Sequence, residues 1–148
     1  MKYSILISVL LVCILSCKKK DSCKEELMVT KNLEIDYGCQ NTKHTLNIDL
    51  NNEAKLIRSK ETYDSEESGI CHPEIDFSSY DLVIGKQTSG NLNDTILYDL
   101  RKTCPDNELT LTVDMIQSAL TQPDNVTYHA LIPKLGDEVI LNIRINIR

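Results

Sequence analysis

The C-terminal stretch sets the tightest limit on the fold. Val139, Leu141, Ile143, Ile145 and Ile147 fall on every second position to the end of the chain. That is the period of a strand with one buried face, and no helix can present it as a stripe. The same alternation runs through Glu108–Asp114, where Leu109, Leu111 and Val113 take turns with threonines. It also runs through His44–Leu50 (Leu46, Ile48, Leu50) and Leu33–Tyr37 (Leu33, Ile35, Tyr37). Thr95–Arg101, Lys55–Arg58 and Thr127–Pro133 read as further strands. Asp81–Gly85 is a continuous apolar run, as expected of a central strand.

Turn signals fix the expected pairings. Asn51-Asn52 joins His44–Leu50 to Lys55–Arg58 as a hairpin, and Thr103–Asn107, with Pro105, joins Thr95–Arg101 to Glu108–Asp114. Ser59 is placed to cap one short helix over Lys60–Glu66. Gln87–Asp94, rich in Ser, Gly and Asn, reads as a mobile hairpin or surface loop. The expectation is a mainly β domain: an antiparallel β-sandwich or open barrel of seven to nine short strands with one short helix.

The chain has one Phe, six Tyr and no Trp, so Leu, Ile and Val must fill the core. Cysteines would reinforce it. Of the six, Cys13 and Cys17 lie in or next to the leader, leaving Cys23, Cys39, Cys71 and Cys104. An even set in an oxidising compartment implies two disulfides with three possible connectivities. Cys39 ends one expected strand and Cys71 precedes another, which favours Cys39–Cys71 and leaves Cys23–Cys104 to pin the N-terminal segment. No CxxC pair exists to suggest a redox motif or zinc knuckle.

The other end of the chain sets the address. Lys2 precedes an apolar run, Ile5–Leu15, broken only by Ser8. Spanning a bilayer takes ~20 apolar residues, so the run fits a signal peptide and not a membrane helix. It ends in Ile14-Leu15-Ser16-Cys17, which resembles the bacterial lipobox, and Ser-Cys-Lys-Lys-Lys-Asp is similar to the start of lipoproteins of the Bacteroidetes group. The resemblance implies cleavage before Cys17, lipidation of Cys17 and attachment to the outer membrane of a bacterial cell envelope, on its periplasmic or outer face. The expected division is 1–16 signal peptide, 17–30 lipidated cysteine and tether, and 31–148 a single β-rich domain. The chain is acidic, with net charge −6, and its one basic cluster, Lys18–Lys20, sits beside the lipid. A nucleic-acid partner is therefore not expected; contact of these lysines with anionic head groups is.

Two further resemblances bear on the domain. Ile57–Tyr63 followed by Ile75–Gly85, with its Asp-Phe-Ser-Ser-Tyr turn and apolar strand, is similar to the protease-complex-associated (PrcB-type) domain of small bacterial lipoproteins. Tyr128–Lys134 resembles that family's closing strand. Thr88-Ser89-Gly90-Asn91 stands where the family has a Thr-Gly-Gly-Tyr turn. The resemblance implies a binding or stabilising role. Asp94-Thr95-Ile96 resembles the acceptor for O-glycosylation in Bacteroidetes, which makes Thr95 a candidate modification site.

Sites of chemistry are few. Cys71-His72 with His129 or Cys104 lacks metal-ligand spacing, so no metal is expected. Ser89, His129 and an aspartate could be imagined as a triad, but no Gly-x-Ser-x-Gly elbow accompanies them. Asp76 is expected to take backbone N–H groups in its turn, and Tyr80 to pack its ring. No catalytic residue and no cofactor is expected. The function read from the sequence is a non-catalytic binding or accessory module, held to the membrane by its N-terminal lipid, with an envelope protein or glycan as partner. The alternative is a small envelope enzyme or a protease-associated or inhibitory factor.

Overall fold

The computed structural model describes residues 25–103 and 108–148. Among them the chain forms seven strands in two sheets and three helices. The four-stranded sheet has the order β1 (Glu26–Met28), β4 (Asn93–Thr103), β5 (Glu108–Gln117), β7 (Leu141–Ile147). The three-stranded sheet has the order β2 (Ala54–Ile57), β3 (Tyr80–Ser89), β6 (Asp124–Pro133). The helices are α1 (Leu33–Tyr37), α2 (Thr42–Thr45) and α3 (Lys60–Glu66).

The alternating residues close the first core. Leu100 stands opposite Leu111, Tyr98 opposite Val113 and Ile96 opposite Met115 across β4 and β5. These side chains pack with Ile143 and Ile145 of β7 and with Val83, Val126, Tyr128, Ala130 and Ile132 of the other sheet. Two sheets thus face each other across one apolar layer. Gly85 lies opposite Tyr128, and a Cβ there would sit 2.3 Å from the tyrosine hydroxyl. Glycine at that position lets the Tyr128 ring lie flat across β3.

A second core covers the back of the three-stranded sheet. Ile57, Leu82, Ile84 and Leu131 pack against Leu33, Leu46, Ile48, Tyr63 and Ile75 from the helices and loops. The middle sheet is therefore buried on both faces, which is why Leu82, Val83 and Ile84 form an unbroken apolar run. The Cys39–Cys71 disulfide, with Cα atoms 5.7 Å apart, staples this outer layer, in the favoured pairing. Cys23 and Cys104 lie outside the described residues, so one disulfide is found among those described.

Several expectations are corrected. The sandwich is not wholly antiparallel: β5 and β7 pair in parallel, Leu111 beside Ile143, because β6 crosses to the other sheet between them. Among the described residues there are three helices, not one. Leu33–Tyr37 is helix α1 and not a strand. Asn32 accepts from the Ile35 N–H at 2.8 Å while Asp36 accepts from the Asn32 N–H at 3.0 Å, a reciprocal N-cap. At the other end Gly38 takes φ 72°, and the Gly38 and Cys39 N–H groups donate to the Glu34 and Leu33 carbonyls, a Schellman ending. The helix turns Leu33 and Tyr37 inward together and leaves Ile35 83% exposed.

His44–Leu50 is not a hairpin strand either. Its start is helix α2, and its remainder is extended and tied by a single bridge from Ile48 to Glu67. Leu46 and Ile48 do bury themselves on one face. However, β2 pairs with β3 and not with this segment. Glu26–Met28, in the expected tether, is a strand paired with β4. Within Gln87–Asp94, β3 runs to Ser89 and β4 begins at Asn93, leaving only Gly90–Leu92 between them.

The capped helix at Lys60–Glu66 is present, with the Ser59 hydroxyl accepting from the Thr62 N–H at 3.3 Å. The β4–β5 pairing is also present, although the 104–107 turn lies outside the described residues. No helix among the described residues is long and apolar enough to cross a membrane.

Candidate functional site

As an edge strand of its sheet, β6 carries backbone groups that need partners. At Leu131 they are met by Lys31, which exchanges two hydrogen bonds of 2.9 and 2.8 Å with it. At His129 the N–H donates to the Tyr98 hydroxyl at 2.9 Å, so a β4 side chain reaches across from the other sheet. Beside this junction is a cavity of about 180 Å³. Its walls come from α1 and α2 (Glu34, Thr42, Lys43), from β4 (Asp94, Thr95, Ile96, Tyr98) and from β6 (Thr127, His129).

His129 is the buried polar group of these walls that matters most. Its Nε2 accepts from the Leu33 N–H at 2.9 Å. A ring nitrogen that accepts an N–H cannot carry a proton, so the proton of the neutral ring sits on Nδ1. That Nδ1 is buried and has no partner among the described residues. Burial pushes the imidazole down to about 4, against the opposing pull of the Glu34 charge, so the ring is neutral at neutral pH. A buried donor left unpaired costs about 1–3 kcal/mol, and a native structure that keeps one calls for an explanation.

The remaining walls hold both signs and both kinds of hydrogen-bonding group. Glu34 Oε1 accepts from the Thr42 N–H at 2.8 Å and from the Thr42 hydroxyl at 2.7 Å. The Thr42 hydroxyl bond leads in holding its carboxyl below the usual range, with burial opposing. Oε2 takes no bond from the described residues. Lys43 donates to the Asn93 and Asp94 carbonyls at 2.7 and 3.1 Å, which ties α2 to the start of β4 and leaves one ammonium N–H. Tyr98, as acceptor from His129, keeps its own proton to give, and burial raises its phenol well above the ordinary value. Thr95 is exposed on the cavity wall, just past the register shift between Asn93 and Thr95.

The other sequence candidates fall elsewhere. Ser89 stands opposite Asp124, five residues along β6 from His129 and so on the other face of the sheet. Its hydroxyl donates to the Asn91 carbonyl at 2.6 Å. The imagined Ser89–His129 pair is thus not brought together. His72 sits in the stapled layer, stacked on Tyr63 at 4.3 Å. Its Nδ1 meets Glu67 at 2.8 Å and its Nε2 meets Asp64 at 2.9 Å. The Asp64 and Glu67 bonds raise its pKa. Glu67 is fully buried and also accepts from the Asn47 and Gly69 N–H groups at 3.1 and 2.6 Å, so this cluster ties loops together.

Cys71 has its sulfur in the disulfide, and Cys104 lies outside the described residues. No group of three or more His, Cys, Asp or Glu placed to hold a metal occurs among the described residues. Asp76 accepts from the Ser78 N–H at 3.0 Å, the expected turn bond. The Tyr80 ring lies under the Lys31 ammonium, 4.8 Å from its centroid. Cys17 precedes the described residues.

Sequence reasoning named His129 and Thr95 separately and missed Glu34, Thr42, Lys43 and Tyr98. The nearest sequence signal for Glu34 was the Asn32…Gly38 bracket, which marks a helix and turns that side chain off the expected strand face. Comparison of the chain with protein-family models, curated proteins and solved structures gave no match.

Proposed function

We propose that the protein is a non-catalytic binding module of a bacterial envelope, tethered to the outer membrane by lipid on Cys17, and that the cavity at the β6 edge is its recognition site. The observation that carries the reading is that one concavity gathers Glu34 from α1, Lys43 from α2 and Tyr98 from β4. Polar groups of both signs converging on one concavity are what a small polar ligand requires. The wall elements are fixed independently of any ligand, by the Lys43 bonds to β4 and the His129–Leu33 bond, so recognition needs no large rearrangement. A tethered module with such a site suits retention of a small group at the membrane surface.

The test compares the wild type with Ile96→Trp, which enlarges a side chain that lines the cavity on the same face of β4 as Tyr98, with circular dichroism checking that the variant is folded. Both proteins are incubated with the low-molecular-weight fraction of a bacterial envelope digest, separated by ultrafiltration and analysed by mass spectrometry. Retention of a compound by the wild type and not by Ile96→Trp is expected. Equal retention by both, or by neither, would overturn the assignment. The mass of the native N-terminal peptide tests the tether, since an acylated Cys17 is heavier than a free thiol by its fatty chains.

A further inference from the structure

We propose that the open edge of β7 pairs with the same edge of a second copy of the chain, antiparallel about a two-fold axis through Ile143, and joins the two four-stranded sheets into one. The inference is independent of the cavity at the β6 edge and of any ligand there.

The sheet edges differ in how they are protected. β1 has three residues and β2 four, and very short strands make poor templates. β6 is met by Lys31 at Leu131 and by Tyr98 at His129. β7 ends its sheet with seven residues, no proline and no register shift against β5. Its Ile140 carbonyl accepts from the Leu109 N–H, and its Arg148 N–H donates to the Met115 carbonyl. The even-numbered residues therefore bond to β5. By alternation the N–H and C=O groups of Leu141, Ile143, Ile145 and Ile147 point away from it, and no strand among the described residues lies on that side. The Leu141, Ile143 and Ile145 side chains pack on the core between the sheets yet are only partly buried, and Ile147 is 46% exposed. Unpaired backbone and an apolar margin thus run together along one edge, which is a template for another strand.

The occupant follows from the sequence of the strand. Leu141-Asn142-Ile143-Arg144-Ile145-Asn146-Ile147 reads almost the same in both directions. Laid antiparallel on itself, it sets apolar residues beside apolar ones and polar beside polar ones. That is the self-complementarity a two-fold interface requires. Centring the axis on Arg144 would oppose two guanidinium groups directly, which is unfavourable. Centring it on Ile143 sets Leu141 opposite Ile145 and Arg144 opposite Asn142 of the second copy. The Asn142 amide donates to Glu108 at 2.8 Å, so that carboxylate lies beside the incoming Arg144. Arg144 is exposed, and neither it nor Glu108 has an ion-pair partner among the described residues. Centring on Ile145 would bring Arg144 to Asp114 instead, which Arg148 already holds at 2.9 Å. The Ile143 pairing therefore supplies a reciprocal Arg144–Glu108 contact on each side of the axis. Because it uses up the long open edge of both copies, assembly closes at two.

The experiment is amide hydrogen exchange of the full chain in a polyoxyethylene detergent with micelles in excess, at low micromolar and at millimolar protein. Exchange is read residue by residue by fragmentation mass spectrometry, and light scattering gives the molar mass of the protein. The mass is expected to double with concentration. The Leu141, Ile143 and Ile145 amides are expected to slow by about tenfold or more as it does, while Asn142 and Arg144, bonded to β5, stay slow throughout. Arg144→Glu, at an exposed position, is expected to weaken association by about tenfold or more, and Glu108→Lys added to it to restore association. A single copy at both concentrations would overturn the proposal. So would a doubled mass with fast exchange at Leu141, Ile143 and Ile145, which would place the contact elsewhere or in a shared micelle. Association as strong in Arg144→Glu as in the wild type would overturn the pairing centred on Ile143.

Discussion

Replacing both Cys39 and Cys71 by alanine removes the one covalent link between the α1 turn and the loop before β3. The two cysteines are 32 residues apart in sequence. In the chain-entropy description, a closed loop of that length restrains the unfolded state by about 3.7 kcal/mol, between the ~3 of a 15-residue loop and the ~4.7 of a 100-residue loop. The loop encloses α2, β2 and α3 and carries half of the buried residues of the second core, including Leu46, Ile48 and Tyr63. Losing the link therefore loosens that layer more than the core between the sheets. Urea denaturation followed by far-ultraviolet circular dichroism, with tyrosine emission as second probe because the chain lacks tryptophan, should show a loss of about 3–4 kcal/mol. Cys23 and Cys104 stay as they are. Amide exchange should accelerate more over 40–75 than in β4 and β5. A loss below about 1 kcal/mol, with exchange over 40–75 unchanged, would refute the reasoning: apolar contacts alone would then hold the layer.

Two histidines predict opposite pH dependences. His129 has its folded pKa lowered to about 4, so between that value and about 6.5 the unfolded chain binds the extra proton. Stability is whole above pH 6.5 and falls by about 3 kcal/mol as pH drops towards 4; His129→Gln should abolish that slope in denaturation curves at stepped pH. His72 has its pKa raised by Asp64 and Glu67, so its contribution is whole below pH 6.5 and is lost as pH climbs through the raised value. His72→Gln should flatten the alkaline side only. Asp81 is fully buried and accepts from Lys134 at 2.7 Å and from the Leu135 N–H at 3.0 Å, so Asp81→Asn should cost about 2–3 kcal/mol by thermal or urea melts. A loss under ~0.5 kcal/mol would show that its half-exposed cationic partner Lys134 is held without it.

What the sequence made legible follows from where its signals are local. Parity along Leu109–Val113 and Leu141–Ile147 identifies which side chains go inward, because alternation belongs to the strand itself. It does not name the neighbour, so the parallel β5–β7 pairing was hidden. The continuous run at Leu82–Ile84 showed burial on both faces, and the Ser59 cap marked α3, since each acts within a few residues. Leu33–Tyr37 misled because five residues with apolar positions at i, i+2 and i+4 satisfy a strand, while i and i+4 alone satisfy a helix. The Asn32 and Gly38 caps decided between them. The cavity was illegible because its walls come from three stretches, 34–43, 94–98 and 127–129, joined through Lys43 and Tyr98. His129 could be singled out as a residue, but its unpaired nitrogen exists only once Leu33 has taken the other.

The most direct test of the recognition site is the amide proton–nitrogen spectrum of the protein, recorded at pH 7 before and after adding the retained envelope compound. Resonances of Glu34, Lys43, Ile96 and Tyr98, which line the cavity, are expected to move while those of β2 and α3 stay in place. Cavity resonances indifferent to the bound compound, or shifts centred on another part of the chain, would contradict the assignment.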